Sequence, residues 1–438
     1  MLTAVARAFR TPDLRKKLLF TLLIMAIFRL GSAIPTPGVS YTLVAQCIQG
    51  ADPTTGFIGL ANLFSGGALL QLSIFALGIM PYITATIIVQ LLTVVIPRFE
   101  ALKKEGQSGQ TKMTQYSRYL TIGLAILQSS TLITFARAPN QIFGGTCEKI
   151  LADDSMTTIV IMVLTLTAGT GLIMWMGELI TDRGIGNGMS LLIFTSIASG
   201  FPGSLWAIQQ QEGRWDVFIG IILIGFLVMA LVIFVEQSQR RIPVQYAKRQ
   251  VGRRMYGGSS TYIPLKVNMA GVIPVIFASS LLALPALIAQ FARPQRGGEA
   301  PAWAQWISDN LTRGDHWIYM AAYVGLILFF TFFYVSITFN PVEVADNMKR
   351  YGGFIPGIRA GRPTAEYLDY VLSRITVPGA LYLGAISLIP LLAIRLFNAN
   401  QNFPFGGTSI LIIVGVGLET VKQIQAQLQQ RNYEGFLR

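Results

Sequence analysis

The chain has 438 residues, of which 52% are hydrophobic and 13% charged, and its mean hydropathy is +0.54. Average soluble proteins carry about 25% charged residues, so this composition excludes a disordered chain, a disulfide-rich secreted module and most soluble enzymes. The net charge of +13 would suggest nucleic acid in a soluble protein; in a lipid-embedded one it points to Lys- and Arg-rich loops held on one side of the bilayer.

A helix of about 20 apolar residues crosses the hydrocarbon core because it satisfies its own backbone groups. Ten stretches fit: 18–35, 72–96, 119–136, 157–177, 189–206, 217–235, 269–292, 317–339, 376–397 and 409–428. The first also has the length of a signal-peptide core behind Lys16 and Lys17, but no clear A-x-A site follows, and it is read as a span. Gln128, Ser129 and Ser130 interrupt the third, Thr195 and Ser196 the fifth, and the tenth is apolar only to Leu418. The stretch 57–70 is apolar but leaves no room for a separate crossing before the second span, and Gly66-Gly67 breaks it. Two readings stay open for it: a half-helix dipping into the membrane and buried in protein, or a segment lying in the interface.

Of the 34 Lys and Arg residues, 26 fall on one side of this arrangement and seven on the other, with Arg29 inside the first span. The asymmetry puts both termini in the cytoplasm. Five of the six tryptophans (Trp206, Trp215, Trp303, Trp306, Trp317) sit at the opposite boundary. The division expected is 1–208, an outer hinge loop 209–216, and 217–438, with basic cytoplasmic loops at 236–268 and 340–375.

Gly78-Ile-Met-Pro81-Tyr-Ile83-Thr-Ala85 matches Gly271-Val-Ile-Pro274-Val-Ile276-Phe-Ala278. Apolar helices share letters by chance, but proline inside a helix is uncommon. The pairing points to two five-span halves of opposite orientation, as in transport proteins with a central pathway.

Chemistry is sparse. Cys47 and Cys147 are too few for a metal cluster or a disulfide framework. His316 sits alone at a boundary, where a solvated residue is expected. Gly184-Ile-Gly186-Asn-Gly188 lacks the third glycine of a dinucleotide loop, since Met189 stands there. Arg29 is the clear charge at depth; it costs roughly 2.5–3.5 kcal/mol there unless it snorkels or pairs with backbone carbonyls. No cofactor and no catalytic residue is expected. A small-solute transporter, the alternative reading, would need a polar midplane site, and the midplane here reads as apolar. The basic loops either serve orientation alone or dock an acidic or nucleic-acid-bearing partner.

Several strings resemble the SecY family of protein-conducting channels along essentially the whole chain. They are Phe64-Ser-Gly-Gly-Ala68, Phe75-Ala-Leu-Gly-Ile-Met-Pro-Tyr-Ile83, Gly184-Ile-Gly-Asn-Gly188, Tyr246-Ala-Lys-Arg-Gln250, Lys266-Val-Asn-Met-Ala-Gly-Val-Ile-Pro274, Ala345-Asp-Asn347, Pro356-Gly-Ile-Arg359 and Gly406-Gly-Thr-Ser409. The resemblance implies an all-α membrane protein of ten helices in two inverted halves, passing unfolded polypeptides across the bacterial plasma membrane and releasing apolar segments sideways into lipid. It implies a plug, which falls on Phe57, Ile58, Leu60, Ala61, Asn62, Leu63, Phe64, Ser65, Gly66 and Gly67. It implies an aliphatic constriction, carried over to Ile83, Ile87, Ile193, Ile197, Ile276 and Ile412. Such a ring blocks ions by dewetting and offers them no ligands. A lateral gate is implied between the second and seventh spans. On those spans Pro81 and Pro274 would loosen the helices, and Thr86, Gln90, Asn268 and Ser280 would hold them together by interhelical hydrogen bonds. The implied partners are SecE-like and SecG-like small membrane subunits, the SecA motor ATPase, a translating ribosome, signal peptides, nascent chains and lipid. Docking of the motor or ribosome falls on Lys248, Arg249, Arg253, Arg254, Arg359 and Arg362.

Overall fold

Helices form over each of the ten apolar stretches. The computed structural model describes residues 9, 11–40, 43–44, 65–69, 71–137, 150–151, 153, 155–212, 215–246, 249–251, 254–256, 260–291, 301–311, 316–397 and 407–434. In chain order these hold α1 (Pro12–Ala33), α2 (Met80–Val95), α3 (Pro97–Lys104), α4 (Gln107–Arg137), α5 (Met156–Arg183), α6 (Gly188–Glu212) and α7 (Trp215–Gln237). Strands β1 (Gln239–Tyr246), β2 (Arg249–Val251), β3 (Arg254–Tyr256) and β4 (Ser260–Lys266) follow, then α8 (Ile273–Phe291), α9 (Ala302–Leu311), α10 (Trp317–Thr338), α11 (Pro341–Arg350), β5 (Gly353–Phe354), α12 (Arg362–Phe397) and α13 (Gly407–Glu434). By length and apolarity four described stretches suffice to cross a bilayer: Met156–Arg183, Trp317–Arg350, Arg362–Ile389 and Ser409–Gln430. The pair α2 and α3, bent by 100°, makes a fifth if counted together.

The chain divides into two compact units. One comprises Met1–Trp215, Asn400–Pro404 and Val416–Arg438; the other comprises Asp216–Ala399 and Phe405–Gly415. In the first, α2 packs on α4, α4 on α5, and α5 on both α6 and α1. In the second, α8 packs on α10 and α10 on α12. The second, third and fourth spans of each unit thus keep the same neighbour order, as a repeat requires. The first unit centres on Leu72, Ala76, Ala125, Ile133, Met162 and Leu166, all buried. A smaller cluster joins Leu14 of α1, Ile185 and Ile424 of α13.

The expected hinge loop 209–216 is helical as far as Glu212 and again from Trp215; Gln209 to Glu212 are polar, but glutamine and glutamate are good helix formers and carry α6 past its apolar run. The expected basic loop 236–268 is largely a β-hairpin. β1 and β4 pair antiparallel, with Ile242 opposite Ile263 and Gln239 opposite Lys266, and β5 pairs on the other edge of β1. Alternation explains it: Ile242 and Val244 are buried on one face while Arg241, Pro243 and Gln245 are exposed. That face closes on Leu265, Met348, Ile355, Leu368, Val371 and Ile375. Pro243 is tolerated because β5 reaches only Gln245 and Tyr246, leaving an open edge beside the proline. Asn340 starts α11 by accepting hydrogen bonds from the Val342 and Glu343 amides at 3.1 and 3.4 Å.

Candidate functional site

The matched Gly-x-x-Pro strings occupy the same local structure twice. Gly78 has φ +57° and Gly271 has φ +62°, the left-handed region that favours glycine. Each helix begins two residues later, at Met80 and at Ile273, so Pro81 and Pro274 stand in the first helical turn. Proline there loses no hydrogen bond, because the first amides of a helix have no intrahelical partner. The spans expected from 72 and from 269 therefore start late as helices. The prolines do not interrupt helix interiors; they begin them.

The carried-over constriction residues take these positions. Ile83 and Ile87 lie one turn apart on α2, half-buried. Ile193 and Ile197 lie one turn apart on α6, 7% and 4% exposed. Ile276 on α8 is 7% exposed and Ile412 on α13 is 3% exposed. Ile83, Ile87, Ile193 and Ile197 belong to the first compact unit, Ile276 and Ile412 to the second.

Of the expected gate hydrogen bonds, the Thr86 hydroxyl instead donates to the Tyr82 and Ile83 carbonyls of its own helix, at 3.0 and 2.8 Å. A threonine in a helix reaches the carbonyls three and four residues back more easily than a neighbouring helix. Gln90 is exposed and Ser280 half-buried. Asn268 is 4% exposed, and its amide donates to the Glu236 carboxylate at 2.6 Å and to the Gly271 carbonyl at 3.2 Å. It therefore ties the end of α7 to the lead-in of α8 inside the second unit.

Of the expected plug, residues 57–64 lie outside the described residues, as do Cys47 and Cys147. Ser65 is buried, Gly66 has φ +67° and Gly67 φ +89°. Arg29 Nη1 donates to the Gly66 carbonyl at 2.6 Å. Of its two expected solutions, pairing with backbone is the one the charge at depth adopts.

Gly184-Ile-Gly-Asn-Gly188 forms the corner between α5 and α6. The Ile185 amide donates to Thr21 Oγ1 at 3.2 Å and the Gly188 amide to Thr181 Oγ1 at 2.9 Å. Asn187 Oδ1 accepts from the Met189 amide at 3.1 Å, capping α6. A Cβ on Gly188 would fall on the Gly177 carbonyl, so only glycine permits this crossing. His316, expected as a solvated boundary residue, caps α10 by accepting from the Ile318 amide at 3.3 Å.

Among the docking candidates, Arg249 and Arg254 lie on the paired strands β2 and β3, while Lys248 and Arg253 lie outside the described residues. Arg359 is exposed in the turn before α12, where its carbonyl accepts from Thr364 Oγ1 at 2.8 Å. Arg362, also exposed, pairs with Glu366 at 3.0 Å. Arg241 adds a cation over the Tyr262 ring, 4.9 Å from its centroid, on the same hairpin. A bidentate pair that local patterns could not reveal joins α4 to α5: Arg118 Nε and Nη2 each donate to Glu178 at 2.8 Å. The partners stand 60 residues apart and carry no spacing signal. On exposed α3, a hydrogen bond from Lys104 at 2.6 Å holds the Glu100 carboxyl below its ordinary range.

A family profile described as SecY matches residues 73–421. The chain belongs to the SecY family. The protein translocase subunit SecY of Streptomyces galbus is 67% identical over 444 residues, covering 100% of both chains. That of Micrococcus luteus is 58% identical over 439 residues, again covering 100% of both. Among solved structures, a protein-conducting channel superposes with a TM-score of 0.62 at 18% identity, covering 94% of this chain and 91% of its own. A SecY protein whose plug domain stabilises the closed state gives 0.60 at 19% identity, with the same coverage. This SecY-family chain is thus a multi-span membrane protein, mostly helical, with the fold of those channels. Within the family strings, Gly78 with Pro81, Gly271 with Pro274, and Gly184 to Gly188 now each have a local structural reason.

Proposed function

We propose that this chain is the pore subunit of a protein translocase in a bacterial inner membrane. It passes unfolded secretory polypeptides and releases transmembrane segments sideways into lipid, with both termini cytoplasmic. The full-length likeness, at 67% identity, to a protein translocase subunit SecY carries this reading, and favours it over the transporter of small solutes. In it, Ile83, Ile87, Ile193, Ile197, Ile276 and Ile412 form the seal. All six are aliphatic, so they close around any side chain without specific bonds and leave ions no ligand. Residues 57–67 act as the plug, and α2 and α8 as the two sides of the lateral gate, with the units 1–208 and 217–438 moving about 209–216. Arg359 and Arg362, with Lys248, Arg249, Arg253 and Arg254, form a basic docking face for the SecA motor or a ribosome. SecE-like and SecG-like subunits complete the complex. The chain provides passage; the energy comes from the docked motor or from chain elongation.

The test is ion leakage. Complexes carrying Ile83→Asn or Ile276→Asn are reconstituted in vesicles, and leak per channel is compared with wild type. A polar side chain wets the constriction, so leak should rise several-fold while substrate passage persists. Wild-type conductance in both variants would sink the reading of these residues as the seal.

A further inference from the structure

The residues that place the start of α2 lie in the stretch before it. That stretch, described at 65–69 and 71–79, runs mostly through turns rather than a helix, and it is tied repeatedly to the end of α1. The Ile74 amide donates to the Ile34 carbonyl at 2.9 Å. The Thr36 amide and hydroxyl both donate to the Leu72 carbonyl, at 3.0 and 2.6 Å. Phe28 stacks on Phe75 with ring centroids 5.8 Å apart. Leu72 sits at φ +46°, an uncommon conformation for a side-chain-bearing residue that its surroundings must enforce. The furthest tie is Arg29, which holds Gly66 at 2.6 Å and also reaches Ser32 Oγ at 3.4 Å.

Arginine is a costly choice inside an apolar helix. A guanidinium offers five donors in a fixed fork, so it can hold a carbonyl in a set direction, whereas an ammonium is a rotating point charge. Ser32 fixes the fork in turn: its hydroxyl donates to the Arg29 carbonyl at 2.7 Å while accepting from Nη1. The Gly66 carbonyl that it meets lies at a left-handed bend, which an alanine could not take without meeting Ser196 Cα at 3.0 Å.

We propose that Arg29 is a positioning residue of the channel: by clamping the Gly66 carbonyl it anchors the stretch 65–79 and so sets where Ile83 and Ile87 stand. This rests on the reading of Ile83 and Ile87 as part of the seal. Arg29 and Thr36 then grip one stretch at two points, Gly66 and Leu72, and their effects on the seal are coupled.

The experiment uses the whole complex in vesicles, with wild type, Arg29→Gln, Arg29→Lys, Thr36→Val and the Arg29→Gln/Thr36→Val double variant. Leak per folded channel and passage of a substrate lacking its signal peptide are read. A hydrogen bond to a charged group shifts an equilibrium by about tenfold or more, so Arg29→Gln should raise leak about tenfold and admit the signal-less substrate. Thr36→Val should raise leak by about threefold, since a neutral bond is weaker. The double variant should leak less than the product of the two, because the second cut loosens a stretch already loosened. Unchanged leak in Arg29→Gln overturns the proposal, and so does a double variant that multiplies the single effects. If Arg29→Lys leaks like wild type while Arg29→Gln does not, a bare charge suffices and the guanidinium clamp is rejected. Ile83→Asn in the same vesicles separates the two ideas. If it leaks and Arg29→Gln does not, only this inference fails; if it does not leak, the seal itself was misplaced.

Discussion

The start of α8 offers a clean energetic test. Gly271 has φ +62° and open space where a Cβ would stand, with nothing within 4 Å. Gly271→Ala therefore meets no clash, and its whole cost is conformational. Placing an L-residue in the left-handed region costs roughly 1–2 kcal/mol, a factor of about 5–30 in the folded ratio. The chain's escape is to flip the residue out of that region. The flip would turn the Gly271 carbonyl away from Asn268, whose amide now donates to it at 3.2 Å, and would move Pro274 from its place in the first helical turn. Asparagine tolerates the left-handed region better than alanine, so Gly271→Asn should lose less than half as much. Thermal unfolding of the purified complex in detergent, followed by the fraction remaining soluble, ranks the three proteins: wild type, then Asn, then Ala. Gly78→Ala should lose at least as much as Gly271→Ala, since Gly78 has φ +57° ahead of the same kind of helix start and is buried. Equal stability of the alanine and wild-type proteins, or an asparagine variant as weak as alanine, would refute the argument that the left-handed start requires glycine.

Two further outcomes follow from named contacts. Arg118 and Glu178, with side chains 42% and 21% exposed, form a bidentate pair. A double-mutant cycle with Arg118→Ala and Glu178→Gln should give a coupling of about 1 kcal/mol, and a value near zero would mean that the pair does not brace α4 against α5. Arg359→Glu changes an exposed side chain whose backbone, rather than its guanidinium, holds the turn through Thr364. Motor-driven export should fall sharply with the unfolding temperature unchanged, and normal export would remove Arg359 from the docking face.

Much of this architecture is legible in the letters, because membrane spans obey a one-dimensional rule. A long apolar run must be helical where no water can satisfy its backbone, and each of the ten predicted stretches holds a helix over most of its length. The hairpin was harder to see. Its alternation, Ile242 with Val244 and Ile263 with Leu265, lies among arginines, tyrosines and prolines that read equally well as a solvated loop. Only its pairing and the cover from Met348, Leu368 and Val371 turn that weak pattern into strands. The charge at Arg29 was visible as an anomaly; its partner Gly66 was not, since 37 residues separate them.

Composition, span positions, the charge asymmetry and the paired Gly-x-x-Pro strings were set by the sequence itself, because each depends on neighbours along the chain or on the solvent around it. Tertiary structure alone decided that those prolines begin helices, that Asn268 meets Glu236, and that Arg29 grips a backbone carbonyl. Those outcomes turn on which groups distant in the chain come within hydrogen-bond reach, and on which backbone angles the packing then enforces. A spacing rule along one chain carries no information about either.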